Sequence, residues 1–192
     1  MKVITISREY GAGGHSIGKA VAERLGIEIY DRDIIRNTAA EGGFETSLVE
    51  SEEEMISRGE SILRKISPMS YNEKDVLFDV QSKVIRDLAA KGPCVILGRC
   101  ADAVLADSDL EVLNVFIYAD DIHRALRVGE ILGSKNATEI QKAMKKTDQS
   151  RKNYYEYYTA RTWGDCHNYG LVLDSGLLGY DTCVDLICAA AK

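Results

Sequence analysis

The sequence predicts an α/β fold, a three-layer sandwich in which a parallel sheet of five strands carries helices on both faces. Three observations lead there. Short β-branched runs recur along the chain, separated by longer amphipathic segments, the alternation that builds βαβ units. The runs are continuously apolar, as strands covered on both faces should be. The 192 residues, 45% hydrophobic and 28% charged, suit one soluble α/β domain with one core.

Each element has its own signal. Val3-Ile4-Thr5-Ile6 reads as the first strand, followed by a glycine-rich turn from Tyr10 to Gly14. His15 to Leu25 reads as a helix, because Ile17, Val21 and Leu25 recur at four-residue steps and Gly26 supplies a C-terminal stop. Ile27 to Tyr30 is a second strand closed by Asp31, which completes a βαβ unit. A further helix starts near Asp33, and the polar, weakly periodic stretch Glu41 to Tyr71 reads as a helical insertion. Glu73 to Ala90 is amphipathic, with Val76, Val80, Val84 and Leu88 in register, and Gly92-Pro93 ends it. Cys94 to Leu97, Val112 to Ile117 and Leu171 to Leu173 are the remaining strands, and Asp181 to Ala191 is a last helix. The expected organisation is one domain over 1–192. Its core comprises 1–37, 91–120 and 168–192, with a helical insertion at about 38–90 and a basic helical segment at about 121–167.

Composition narrows the function. No run approaches the roughly 18 apolar residues of a membrane span, and the opening residues pass straight into Ser7-Arg8-Glu9, so a cytoplasmic protein is expected. The net charge of −6 disfavours nucleic acid as a partner. Cys94, Cys100, Cys166, Cys183 and Cys188 form no Cys-x-x-Cys pair and read as reduced thiols rather than zinc ligands. The segment Ile122 to Trp163 carries nine basic and four acidic side chains, more positive charge than solvated helix faces explain, and points to an anionic ligand.

The glycine turn says where that anion binds. Unpaired backbone amides and the positive dipole end of a helix attract phosphate, and Gly11-Ala12-Gly13-Gly14 lies between a buried strand and such a helix. Two turn types compete. A literal G-x-x-x-x-G-K-[ST]-like match runs from Gly13 to Ala20, but it starts seven residues after Ile6 and puts Lys19 inside the helix. The segment in the right place is Arg8 to His15. There Arg8 replaces the first glycine, Gly14 the lysine and His15 the hydroxyl residue, with Ser16 next to it. The rival is a dinucleotide turn, in which Gly11 and Gly13 fit two of three glycine positions and Asp31 falls at the distance of a ribose contact.

Residues further on favour the first type. Ile4 to Gly14 resembles the lysine-free phosphate loop of the cytidylate-kinase-like family of nucleoside monophosphate kinases. Asp33-Ile34-Ile35-Arg36, Leu97-Gly98-Arg99, the pair Arg124 and Arg127, Asp148-Gln149-Ser150-Arg151, Tyr154-Tyr155, Trp163-Gly164-Asp165 and Leu173-Asp174-Ser175 resemble that family's later motifs in the same order. The resemblance implies a P-loop fold, in which about 38–90 is the acceptor-binding insertion and about 121–167 a lid with its following helix, and phosphoryl transfer from ATP, with Mg²⁺, to CMP or dCMP. Gly11, Ala12, Gly13, Gly14, His15 and Ser16 would cradle the donor phosphates, Ser16 would also touch the metal, and Asp31, Arg36 and Arg99 would hold the acceptor. Arg8, Arg124, Arg127 and Arg151 would neutralise the transferring group, work that arginine's permanent charge and bidentate geometry suit. Asp31 is equally suited to capping the helix after it. The run Tyr154 to Tyr158 reads as packing at a helix surface or a homodimer contact more than as a base platform. Two alternatives stay open: a catalytically silent nucleotide-binding module, because Gly14 stands where lysine belongs, and a dinucleotide-dependent oxidoreductase.

Overall fold

The structure is a computed structural model that describes residues 1–35 and 73–192. The expected insertion over Glu41–Tyr71, and Arg36 with it, lies outside the described residues. Among the described residues five strands form one sheet: β1 (Val3–Arg8), β2 (Glu28–Tyr30), β3 (Cys94–Leu97), β4 (Val112–Tyr118) and β5 (Leu171–Asp174). All neighbours are parallel and the order is β2-β3-β1-β4-β5. β1 therefore sits at the centre, flanked by β3 and β4. It runs two residues beyond the predicted Ile6 because β4 is long enough to pair with Ser7 and Arg8 through Phe116 and Ile117.

This order corrects one alternative. In the usual dinucleotide fold the first strand lies beside the second. Here β2 is an edge strand separated from β1 by β3, so the end of β2 that carries Asp31 is not next to the glycine turn's own strand.

Among the described residues the helices include α1 (Gly14–Leu25), α2 (Glu73–Ala89), α3 (Ala101–Val104), α4 (Asp121–Leu132), α5 (Ala137–Thr159), α6 (Ser175–Leu178) and α7 (Tyr180–Ala190), with a 3₁₀ turn at Cys166–Asn168. One face of the sheet packs Ile4, Ile6, Val95, Val115 and Ile117 against Ile17 and Val21 of α1 and Val184 and Ile187 of α7. The other packs Val3, Cys94 and Ile96 against Val84, Ile85 and Leu88 of α2 and Leu105. That is the expected three-layer sandwich. In α2 the stripe holds at Val80, Val84 and Leu88, but Val76 is exposed. The short helices α3 and α6 escape periodicity because four residues make one turn. The basic segment forms two helices, divided where Gly133 closes α4 and the Asn136 side chain caps α5 by accepting from Thr138 and Glu139. No helix among the described residues is long and apolar enough to cross a membrane.

Candidate functional site

With all strands parallel, their carboxyl ends share one edge, where ligands of open α/β sheets bind. The residues singled out in the sequence gather there. Gly13 is the N-cap of α1 in the left-handed region, φ 76°, and offers no side chain to the first amides of the helix. Those amides stay open to an anion. The turn is fixed from behind by Ser175, whose hydroxyl donates to the Ala12 carbonyl (2.8 Å), and by the Tyr180 ring resting on Gly13.

Arg8 explains Gly14. A methyl group on Gly14 would come within 2.7 Å of both Cβ and Cγ of Arg8, so the arginine stem occupies the space a lysine side chain would leave from. The guanidinium end reaches Gly98, whose added methyl would strike Nη1. Arg8 thus spans from the glycine turn to the Gly98-Arg99 turn after β3. Lys19, by contrast, points out of α1 with 64% of its side chain exposed and faces Glu23 at 3.9 Å.

Two openings flank Arg8. One, of about 280 Å³, is lined by Gly11, Gly13, Gly14, His15, Ser16 and Arg127. The other, of about 30 Å³, is lined by Gly98, Arg99, Tyr154, Tyr155 and Trp163. Arg8 and Arg151 line both. Arg151 donates from Nη1 to the Arg8 carbonyl (3.0 Å) and lies 5.7 Å from the centre of the Tyr10 ring. Larger cavities between α4 and α5, of about 450 and 790 Å³, take in none of the glycine turn.

The sequence-derived set therefore divides. Arg8, Arg99, Arg127, Arg151 and the turn from Gly11 to Ser16 converge. Arg127, partly exposed, pairs with Glu130 at 2.8 Å. Arg124 does not join them. It is buried, its Nε donates to the Tyr10 carbonyl (2.9 Å), and its guanidinium pairs with Glu9 (3.1 Å) and with Asp148. Asp148 also accepts the Tyr10 amide at 2.7 Å. Burial pushes the Glu9 and Asp148 carboxyls above the usual range, and Arg124 opposes that shift in both. The geometry makes Arg124 the clasp of the loop Glu9-Tyr10, outside the lining of both openings. Asp31 serves as a cap: its Oδ1 accepts from Asp33 and Ile34 at 3.0 Å, and Oδ2 lies 3.8 Å from His15 Nε2.

Sequence reasoning singled out Asp148 and Arg151 but not the one face of α5 that they share with Tyr155. Asp148, Arg151 and Tyr155 recur at i, i+3 and i+7, a helical stripe that was legible. Its targets were not, because Tyr10, Arg8 and Asp102 lie far away in the chain. Tyr155 donates to Asp102 at 2.7 Å, Tyr154 to Gln81 at 3.2 Å, and Tyr158 stacks on Phe78 with 4.0 Å between ring centres. The tyrosine run packs, as its composition suggested.

Comparison with known proteins gives the chain's family and fold. The model of the cytidylate kinase-like family matches residues 3–177. A cytidylate kinase of Archaeoglobus fulgidus is 27% identical over 98% of this chain and 94% of its own. The crystal structure of an uncharacterized protein from Eubacterium ventriosum superposes with a TM-score of 0.76 at 27% identity, covering 100% of this chain and 98% of that one. The shikimate kinase of Bacteroides thetaiotaomicron shares the fold alone, with a TM-score of 0.54 at 14% identity over 98% and 97% of the two chains. The parallel sheet with its glycine turn on the central strand is a P-loop kinase fold, and the chain belongs to the cytidylate kinase-like family.

Proposed function

We propose that the protein transfers the γ-phosphoryl group of ATP to a nucleoside monophosphate, with CMP or dCMP the first candidates. An oxygen of the acceptor phosphate attacks the γ-phosphorus. The bond to the β-bridging oxygen breaks, and ADP leaves with that electron pair. The observation that carries this reading is that two arginines, Arg8 and Arg151, line both openings, where a group passing between two phosphates needs fixed cations. The amides of Gly13 to Ser16 cradle the donor phosphates. Arg99, with Arg36 from outside the described residues, holds the acceptor, and Arg127 and Arg151 add charge around the transferring group. Arg124 is a positioning residue that keeps Glu9-Tyr10 in place.

Mg²⁺ fits this site modestly. Ser16 lines the donor opening and offers a hydroxyl, whereas Glu9 and Asp148 are bound to Arg124 and Asp31 is bound to amides. An ion held by Ser16, donor phosphates and water suits magnesium, which keeps much of its hydration and would neutralise phosphate charge. The silent-module reading rests on the absent lysine, and Arg8 lying in that lysine's place speaks against it.

A coupled assay of ADP release across nucleoside monophosphates tests the proposal, with a thermal-shift panel of ATP-Mg²⁺, CMP, dCMP and NAD(P) beside it. CMP-dependent ADP formation is expected, and NAD(P) should not stabilise the protein. Stabilisation by ATP without ADP formation at high enzyme concentration would leave the silent module.

A further inference from the structure

Gly98, Arg99 and Cys100 are three consecutive residues in the left-handed region, with φ of 71°, 56° and 55°. Glycine adopts that conformation freely, but arginine and cysteine do not. Strain of this kind persists only where surrounding contacts over-determine it. The Ala101 amide closes the turn by donating to the Gly98 carbonyl at 3.1 Å, and Gly98 itself donates to Ile6 at 3.0 Å. These bonds fix the backbone of the turn but leave the Arg99 side chain unconstrained.

We propose that Tyr154 and Tyr155 of α5 are positioning residues that clamp this turn and aim Arg99 at the acceptor's phosphate. The assignment of Arg99 to the acceptor rests on the function proposed above. The Tyr154 ring lies 5.5 Å beneath the Arg99 guanidinium, a cation–π contact, and is itself held by Gln81. Tyr155 is 3% exposed and Asp102 2%, and the 2.7 Å bond between them anchors the chain two residues past the strained pair. A hydrogen bond to a buried carboxylate is costly to break, because the carboxylate has already lost its water. The clamp also sets the relation between the two openings, since the same face of α5 holds the donor side through Asp148 on the Tyr10 amide and Arg151 on the Arg8 carbonyl. Packing alone would call for phenylalanine at 155. The hydroxyl is what distinguishes a clamp from core filling.

Tyr155→Phe removes the hydroxyl and keeps the ring. Asp102→Asn keeps an oxygen that accepts it. Amide hydrogen exchange on the full chain reads the clamp directly: in Tyr155→Phe the Ala101 amide should exchange at least tenfold faster while the β4 amides keep their protection, and Asp102→Asn should stay within threefold of the parent. In steady-state kinetics the CMP KM of Tyr155→Phe should rise about tenfold, with ATP KM and kcat within twofold. Unchanged Ala101 exchange overturns the clamp whether or not the protein turns over. Faster exchange with no turnover by the parent protein keeps the clamp and rejects the kinase reading. Faster exchange with equal rises in both KM values means that the turn does not serve the acceptor and overturns the aiming role.

Discussion

Replacing Arg124 by leucine removes one guanidinium and leaves two buried carboxylates without their cation. The Arg124 side chain is 8% exposed, while Glu9 and Asp148 keep 25% and 18% of theirs. Breaking a fully buried pair costs about 3–5 kcal/mol, so the residual exposure of these acids puts the expected loss near the lower bound, about 3 kcal/mol. With a urea slope of about 2 kcal/mol per molar, the unfolding midpoint at pH 7 should fall by about 1.5 M. Leucine fills much of the space, which separates lost charge pairing from lost packing. The deficit should also depend on pH. Burial holds the folded pKa of both carboxyls above the ordinary values, and Arg124 opposes the rise, together with the Ala119 amide at Glu9 and the Tyr10 amide at Asp148. Without it both climb further, so the folded variant binds protons more readily than the unfolded chain. Its stability then falls as pH rises above about 4 through the raised folded values, and returns on acidification. Urea titrations at pH 7 and pH 5 check this: the gap between parent and variant should narrow at pH 5. A gap below about 1 kcal/mol, or one that widens on acidification, would refute the description of Arg124 as the clasp of two desolvated acids.

Three further outcomes follow from the donor and acceptor geometry. Arg8→Ala should lower turnover about a hundredfold, roughly 2.7 kcal/mol of transition-state stabilisation, while Lys19→Ala stays near the parent; single-turnover rates decide, and the reverse ranking would make the match from Gly13 to Ala20 the working loop. Gly14→Ala should imitate Arg8→Ala, because the new methyl displaces the arginine stem lying 2.7 Å away; a fully active Gly14→Ala would mean that the position of Arg8 is immaterial. Arg99→Ala and Arg36→Ala should each weaken monophosphate binding by about 1.5–3 kcal/mol in calorimetry with ATP affinity little changed, and equal losses for both ligands would place these arginines on the donor side.

The sequence by itself determined the layer architecture. Continuous β-branched runs alternating with amphipathic segments can bury both only as helices covering a parallel sheet, and that pattern is local. It also located the glycine turn, because a strand, a glycine cluster and a helix in succession leave the helix amides open wherever the chain goes next. The stripe Ile17, Val21 and the later one Val80, Val84, Leu88 were readable for the same reason. What the sequence left open was decided by contacts between residues far apart in the chain. β1 pairs with β3 and β4 rather than β2, and this strand order removed the dinucleotide alternative that Gly11, Gly13 and Asp31 supported. Arg124 and Arg127 look equivalent in the sequence, three residues apart on one helix. Only the tertiary structure turns Arg124 inward to Glu9 and Asp148 and leaves Arg127 at the donor opening. Gly14 reads as a missing lysine until Arg8, six residues earlier, is seen lying across it. A side chain's charge is written in the sequence, but the direction it points depends on which strand ends and helix faces meet around it, and those meetings are set by packing across the whole sheet.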